Sequence, residues 1–355
     1  MRAKMKEPDD ARPLLTIAIP TFNRASFLKE LLSTLFDQLI EEPRVELIIS
    51  DNDSADETPS LVESYRQRGF RFRYIRNETN VGADANFVQC FGLAQGRYFL
   101  LVGDDDYITS GGVAKILKMI ESAHNYDLIY LVPRHYGDLS VDKTDARKRA
   151  GRYRVVTEPV GFAKLVNAVG DLICISSIVI NKDKIPEVTS ASCAVMLESN
   201  VVQLAWVFAS LRKMESGLYA DDFILYGGAA PRFGELNAAN VFSVNYLRAM
   251  ELWIGEYDSE LKNALIDDLI VFWFRNWVWL RTRAANTSAK EASQVVRALA
   301  GKSLLSSRGL KYLIFALPLV CLPLPLAHVW NRMLGVARRV IKRNRLSIGT
   351  TVENW

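Results

Sequence analysis

The stretch Arg97-Tyr98-Phe99-Leu100-Leu101-Val102-Gly103-Asp104-Asp105-Asp106-Tyr107 decides how this chain folds. Its apolar half reads as a strand covered on both faces, the pattern of a parallel sheet. Its polar half sets a glycine and a run of carboxylates at the strand's carboxyl end, where open α/β sheets bind ligands. Adjacent carboxylates repel, and the pKa of at least one rises unless a cation sits there. In extended backbone Asp104 and Asp106 project to one side. Such a pair is a hard oxygen site suited to Mg²⁺ or Mn²⁺, which keeps open positions for phosphate oxygens. The competing reading is a solvated acidic turn.

Upstream, strand and helix alternate. Leu14 to Pro20 reads as a first strand, and Thr21-Phe22-Asn23-Arg24 as a polar turn with Asn23 a candidate helix cap. Phe27, Leu28, Leu31, Leu32 and Leu35 then recur at helical spacing. Val45 to Ile49 is a second strand that runs into Ser50-Asp51-Asn52-Asp53-Ser54-Ala55-Asp56-Glu57, and Thr58-Pro59 starts a helix. Phe72 to Ile75 is a third strand. Asn80-Val81-Gly82-Ala83-Asp84-Ala85-Asn86 leads into a helix through Leu93, and Gly96 ends it. The alternation predicts βαβ units and a doubly wound, mostly parallel α/β sheet.

The polar clusters at 21–24, 51–54 and 104–106 therefore fall along one edge of the sheet. Asp51 offers an acceptor carboxylate to a base N–H or a ribose hydroxyl. Thr21, Asn23 and Arg24 can reach ribose and diphosphate, and Gly82 lets backbone approach a ligand closely. Asp84 reads as a solvated first-turn acid. Neither a Walker-type loop nor a G-x-G-x-x-G occurs, so phosphate chemistry here rests on a metal.

Composition narrows the classes. A net charge of +4 does not suggest a nucleic-acid binder. Cys90, Cys174, Cys193 and Cys321 form no C-x-x-C pair and read as reduced core thiols. The charged N-terminus, residues 1–13, reads as flexible and lacks an apolar signal region.

Pro20-Thr21-Phe22-Asn23-Arg24, Ser50 to Asp56, Asn80-Val81-Gly82 with Asn86, and Asp104-Asp105-Asp106 together resemble a family 2 glycosyltransferase of the GT-A fold. The Gly-Asp-Asp-Asp-Tyr form resembles the bacterial O-antigen branch, with its abequosyltransferase-like enzymes. The resemblance implies inverting transfer of a sugar from a nucleotide diphosphate donor, with Mn²⁺ or Mg²⁺ as cofactor. It implies donor contacts at Pro20, Thr21, Asn23, Arg24, Asp51, Asp53, Asn80, Gly82, Asn86, Asp104 and Asp105. Asp51 would serve the base, and Asp104 and Asp106 the metal. Asp53 departs from the glycine of many relatives. An acidic base is expected after the metal motif. Glu198 in Met196-Leu197-Glu198-Ser199-Asn200 is the choice, opening a helical run to Leu211, although Ser199 stands where the family has Asp. Asp171 and the pair Asp221-Asp222 are reserves. Two other readings stand beside this one: a catalytically inert nucleotide-sugar-binding scaffold, and a metal-dependent nucleotidyltransferase.

Downstream, Gly112 to Ser122 reads as a helix, Asp127 to Val132 and Leu172 to Ile180 as strands, and Arg134 to Arg154 as a charged loop. The layout expected is a GT-A domain over 14–235 and a helical region over 236–355, including the aromatic run Ile270 to Leu280. Leu310 to Trp330 is apolar but holds Pro318, Pro323 and Pro325, so it reads as dipping into one leaflet rather than spanning. Arg338, Arg339, Lys342, Arg343 and Arg345 follow and attract anionic lipid. These features place the protein at the cytoplasmic membrane surface, facing a polyprenyl-linked oligosaccharide acceptor and no nucleic acid.

Overall fold

The computed structural model describes residues 12–135, 151–166, 171–227, 240–255, 259–269, parts of 322–333, and 351–353. The strands β1 (Leu15–Thr21), β2 (Val45–Asp51) and β3 (Arg73–Arg76) pair in parallel, and β4 (Tyr98–Leu101) joins β1 in parallel from the other side. Helices α1 (Ala25–Leu39), α2 (Thr58–Gln67) and α3 (Ala83–Leu93) make the crossovers. The chain leaves β1 toward β2 and later returns to β4 on the opposite side of β1. That reversal is the switch point at which open α/β sheets form a crevice.

Beyond β4 come β5 (Tyr107–Ile108), α4 (Gly112–Ile120), β6 (Leu128–Leu131), β7 (Arg134–His135), β8 (Arg152–Val156) and α5 (Pro159–Leu165). Then follow β9 (Ile178–Asn181), α6 (Ser190–Cys193), α7 (Leu204–Arg212), β10 (Gly217–Asp221), β11 (Leu225–Gly227) and α8 (Tyr246–Trp253). The main sheet runs β12-β8-β10-β6-β9-β4-β1-β2-β3, with β12 at Thr351–Glu353. Its parallel character breaks at β9, which lies antiparallel between β4 and β6. The short strands β5, β11 and β7 form a second sheet.

Strand alternation divides the core between the two faces of the sheet. Ile17, Ile19 and Leu100 face one way, onto Leu28, Leu31, Leu32 and Leu35 of α1 and onto Ile116 and Leu117 of α4. Ala18, Phe99 and Leu101 face the other way, onto Val88 and Phe91 of α3 and Trp206 and Phe208 of α7. Phe91 stacks on Trp206 with ring centroids 4.9 Å apart.

Several expectations need correction. The helix expected from Met196 begins only at Leu204. Residues 197–200 form a turn instead, with Glu198 at φ 66° and Asn200 at φ 58°. Beyond residue 235, Tyr246, Met250, Trp253, Leu261 and Leu265 share one core with α7. The region from 236 onward is not purely helical, because β12 pairs with β8. Of the described residues near the expected membrane segment, Leu322 and Trp330 pack against the core. The aromatic run at 270–280 and the basic run at 338–345 lie outside the described residues. Cys90, Cys174 and Cys193 are free thiols; Cys321 is outside the described set.

Candidate active site

The carboxyl ends of β1, β2 and β4 bring the polar clusters together. The Asp104–Asp106 segment is a turn, not extended strand: Asp106 N–H donates to the Gly103 carbonyl at 3.0 Å. Asp104 and Asp106 therefore do not follow from the alternation of an extended strand, and each carboxylate has its own partners. Asp104 is 4% exposed. One oxygen accepts from Thr21 Oγ at 2.8 Å, and the other pairs with Arg24 at 3.1 Å. Burial pushes its pKa up to about 6, against the pull of Arg24 and Thr21 and with help from Asp105 and Asp106. Asp105 takes the other arm of Arg24 at 2.7 Å. Burial works against the Arg24 cation, yet these carboxylates raise its pKa. Its guanidinium also lies 4.6 Å over the Phe27 ring, which explains why Phe27, expected inside, stays partly exposed.

Asp106 is held by Ser176, whose hydroxyl donates to it and accepts the Gly103 N–H at 2.9 Å. Ser176 is fully buried. Sequence reasoning missed it, and its one signal was a pair of serines interrupting an apolar run. Gly103 is tight as well, since a Cβ there would sit 3.1 Å from Asp106 Oδ2.

The β2 loop is saturated. Asp51 is fully buried, accepting Ser54 N–H at 2.8 Å with one oxygen and Tyr74 O–H at 2.6 Å with the other. These two bonds fix the loop, and Arg76 stands 3.9 Å from the Oδ2 that Tyr74 holds. Asn52 does the joining. Its Oδ1 accepts from Asn77 Nδ2 and the Val81 N–H, and its Nδ2 donates to Asn80 Oδ1 at 2.8 Å and the Gly82 carbonyl at 3.3 Å. Gly82 has φ 86°, the left-handed conformation that glycine takes at little cost. Asn86 is buried and exchanges two hydrogen bonds with Ser50, pinning α3 to β2.

Asn23 is not the cap of α1. It stands at φ 52° and accepts the Ala55 N–H at 2.7 Å. Asp56, from the β2 loop, takes the orphan Ala25 N–H at 2.8 Å. Asp53 lies 3.5 Å from Arg76, which also donates to the Ser54 carbonyl. Pro20 is buried in β1, opposite Ser50.

Glu198 is exposed on its left-handed turn, between the exposed Leu197 and the buried Ser199. Two side-chain bonds tie this turn and the residue before the next helix to neighbouring segments. Asp84, expected in solvent, is 5% exposed and accepts the Asn200 N–H at 2.8 Å. Gln203 donates to the Ile173 carbonyl, in the segment that carries Ser176. Among the reserves, Asp221 is paired with Arg134 and Arg152, and Asp222 with Lys115 and Tyr153. Asp171 sits beside Tyr130 and Cys174. Burial pushes the Cys174 thiol up to about 12, with Asp106 and Asp171 adding to the effect.

The described residues contain no group of three or more His, Cys, Asp and Glu placed to hold a metal ion. Asp105 and Asp106, half-buried, are hard oxygen donors at the crevice. They fit a Mg²⁺ or Mn²⁺ ion only if a ligand's phosphate oxygens complete its shell.

Residues 16–176 match the family model "Glycosyl transferase family 2". A 122-residue stretch is 34% identical to abequosyltransferase RfbV of Salmonella typhimurium, covering 34% of this chain and 36% of that protein. A 107-residue stretch is 28% identical to the GalNAc(5)-diNAcBac-PP-undecaprenol beta-1,3-glucosyltransferase of Campylobacter jejuni, covering 30% and 34%. This chain thus spans about a third of the length of these curated relatives. In architecture it is similar to S. aureus TarS 1–349 in complex with UDP-GlcNAc, at TM-score 0.57 and 18% identity over 89% of this chain and 88% of that one. The sequence match and the shared sheet agree: residues 16–176 are similar to glycosyl transferase family 2, and the fold is that of the GT-A glycosyltransferases.

Proposed function

We propose that this chain transfers a sugar from a nucleoside diphosphate donor, with inversion, to a saccharide carried on a polyprenyl lipid in bacterial surface polysaccharide synthesis. The observation that carries the reading is the convergence of Thr21–Arg24, Asp51–Ser54, Asn80–Gly82 and Asp104–Asp106 on one crevice of a family 2 domain. One relative, an abequosyltransferase, supports sugar transfer, and another, named for a PP-undecaprenol-linked substrate, supports the acceptor class.

In this reading the Asp51 loop and the Asn80–Gly82 turn flank the base and ribose, with Asn23, Asp53 and Asn80 at their open edge. Arg24 shifts from its carboxylates to the diphosphate. Asp106, supported by Asp105, would hold Mn²⁺ or Mg²⁺, which would supply Lewis-acid neutralisation of charge on the leaving diphosphate. Asp104, with both oxygens engaged, sets Arg24 and Thr21 in place rather than serving the metal. The acceptor oxygen bonds to the anomeric carbon as that carbon's bond to the phosphate oxygen breaks. The hydroxyl proton passes to Glu198, and the nucleoside diphosphate departs.

Membrane attachment belongs to the same proposal. Among the described residues no helix is long and apolar enough to cross a membrane. Leu326, Val329 and Met333, spaced for one side of a helix, are 53%, 55% and 59% exposed. The basic run from Arg338 follows them. Trp330 turns to the core, so the lipid-facing apolar area lies in its neighbours.

The test is a panel of nucleoside diphosphate sugars with a polyprenyl-diphosphate-linked acceptor, with and without Mn²⁺. Acceptor-dependent release of nucleoside diphosphate is the expected result. Donor binding without release in any combination would favour the inert scaffold, and diphosphate release from a nucleoside triphosphate the nucleotidyltransferase.

A further inference from the structure

We infer that Asp84 is a positioning residue that clamps the turn carrying Glu198 onto the donor-binding end of α3. The inference rests on the assignment of Glu198 as the base.

The turn needs a clamp. Glu198 and Asn200 both occupy the left-handed region, at φ 66° and 58°. A side chain other than glycine persists there only where its surroundings over-determine the backbone. Other bonds hold its neighbours: the Leu197 N–H donates to the Ala194 carbonyl and the Ser199 N–H to the Met196 carbonyl, both at 3.2 Å, Ser199 Oγ accepts the Val201 N–H at 3.1 Å, and Asn245 donates to the Ser199 carbonyl at 2.8 Å. The bond to Asn200 itself comes from Asp84, whose Oδ2 accepts that N–H at 2.8 Å, with Ser199 Oγ at 3.5 Å.

Asp84 is also an expensive way to hold a turn. It is 5% exposed, and its Oδ1 is enclosed with no hydrogen-bond partner. Burial raises its pKa against the pull of the turn's backbone N–H groups. A neutral Asn could accept the same N–H with less desolvation. What the carboxylate adds is a stronger, charge-assisted bond at the residue next but one to Glu198. Its location gives that bond a purpose. Asp84 is in the first turn of α3, two residues past Gly82, whose carbonyl is held by Asn52 of the β2 loop. Donor-side loop and acid turn are thus fastened to the same helix end. A proton acceptor displaced by about 1 Å can cost on the order of 10²-fold in rate.

The experiment compares full-length wild type, Asp84→Ala, Asp84→Asn, Glu198→Gln and the double variant Asp84→Ala/Glu198→Gln. Turnover, donor KM and hydrogen exchange across residues 197–203 are measured for each. Asp84→Ala is expected to lower kcat by ~10²-fold at unchanged donor KM and to speed exchange at Asn200 and Val201. Asp84→Asn, which keeps an acceptor oxygen, should recover most of that loss. The double variant should be no slower than Glu198→Gln alone, because a base already lost cannot be misplaced. A merely structural role predicts multiplying losses and a raised donor KM instead, and either result overturns the clamp. If Asp84→Ala fails to fold, Asp84→Asn carries the same comparison at smaller amplitude. Normal turnover of Asp84→Ala beside a slow Glu198→Gln overturns the clamp alone. Normal turnover of Glu198→Gln removes the base assignment, and the inference falls with it.

Discussion

The donor side and the acid side of the crevice are built on opposite plans. On the donor side the crevice-edge groups are answered by one another: Asp51 by Ser54 and Tyr74, Asn52 by the Asn77–Gly82 turn, Asp104 by Thr21 and Arg24. On the acid side an exposed Glu198 rides a left-handed turn fastened chiefly by Asp84, Asn245 and Gln203. A saturated network holds a rigid ligand such as a nucleotide without reorganising, which is where preorganisation favours binding. An exposed turn leaves its carboxylate free to meet an acceptor arriving from solvent. The comparison teaches that substitutions on the donor side should damage affinity and stability together, whereas those on the acid side should damage turnover alone.

The sharpest division comes from Glu198→Gln. It is nearly isosteric and cannot take the proton, so turnover should fall ~10²–10⁴-fold while calorimetric donor affinity is kept. Weakened donor binding would erase the distinction between the two sides. Next in size is Asp106→Asn, expected to slow transfer by ~10²–10³-fold with the melting temperature preserved, an effect that chelation of wild type should mimic. Full activity of the variant in EDTA would remove the metal from the scheme.

On the donor side, Asp51→Ala leaves Tyr74 O–H and Ser54 N–H without their acceptor. A lost charge-assisted bond is worth ~1.5–3 kcal/mol, so the melting temperature should drop, and donor affinity should weaken with the loosened loop by up to roughly a hundredfold. A change in affinity at unchanged stability would mean that Asp51 touches the base directly rather than holding the loop. Asp104 supplies a pH test of the same network. Its pKa of about 6 in the fold lies above the ordinary carboxylate value. The stability it contributes is therefore complete in acid and is lost as pH rises through about 6. Asp104→Asn should flatten that slope between pH 4 and 7, read by thermal unfolding. An unchanged slope would place the titration elsewhere.

The remaining test lies outside both regions. Reversing charge at Arg338, Arg339, Lys342 and Arg343 should weaken co-sedimentation with anionic vesicles by ~1 kcal/mol per charge, and added salt should do the same for wild type. A wild-type protein that stays in the supernatant at low salt would mark this segment as ordinary protein surface.

The sequence by itself determined the first half of the fold and the address of the site. Leu15–Thr21, Val45–Asp51 and Tyr98–Leu101 are apolar runs ending in polar clusters, and βαβ handedness leaves those ends on one edge of the sheet. Sequence also carried the helix at Thr58-Pro59 and the need for glycine at 82, because these are local backbone preferences. Only the tertiary structure decided which carboxylates are free. Asp51, Asp84, Asp104 and Asp106 are alike in sequence, but Tyr74, Asn200, Arg24 and Ser176 reach them from 23, 116, 80 and 70 residues away. The same holds for β9, whose antiparallel insertion between β4 and β6 depends on pairing partners and not on its own pattern. Apolar periodicity records which face of an element is buried; it does not record what stands opposite a buried charge, and that partner sets the charge's role.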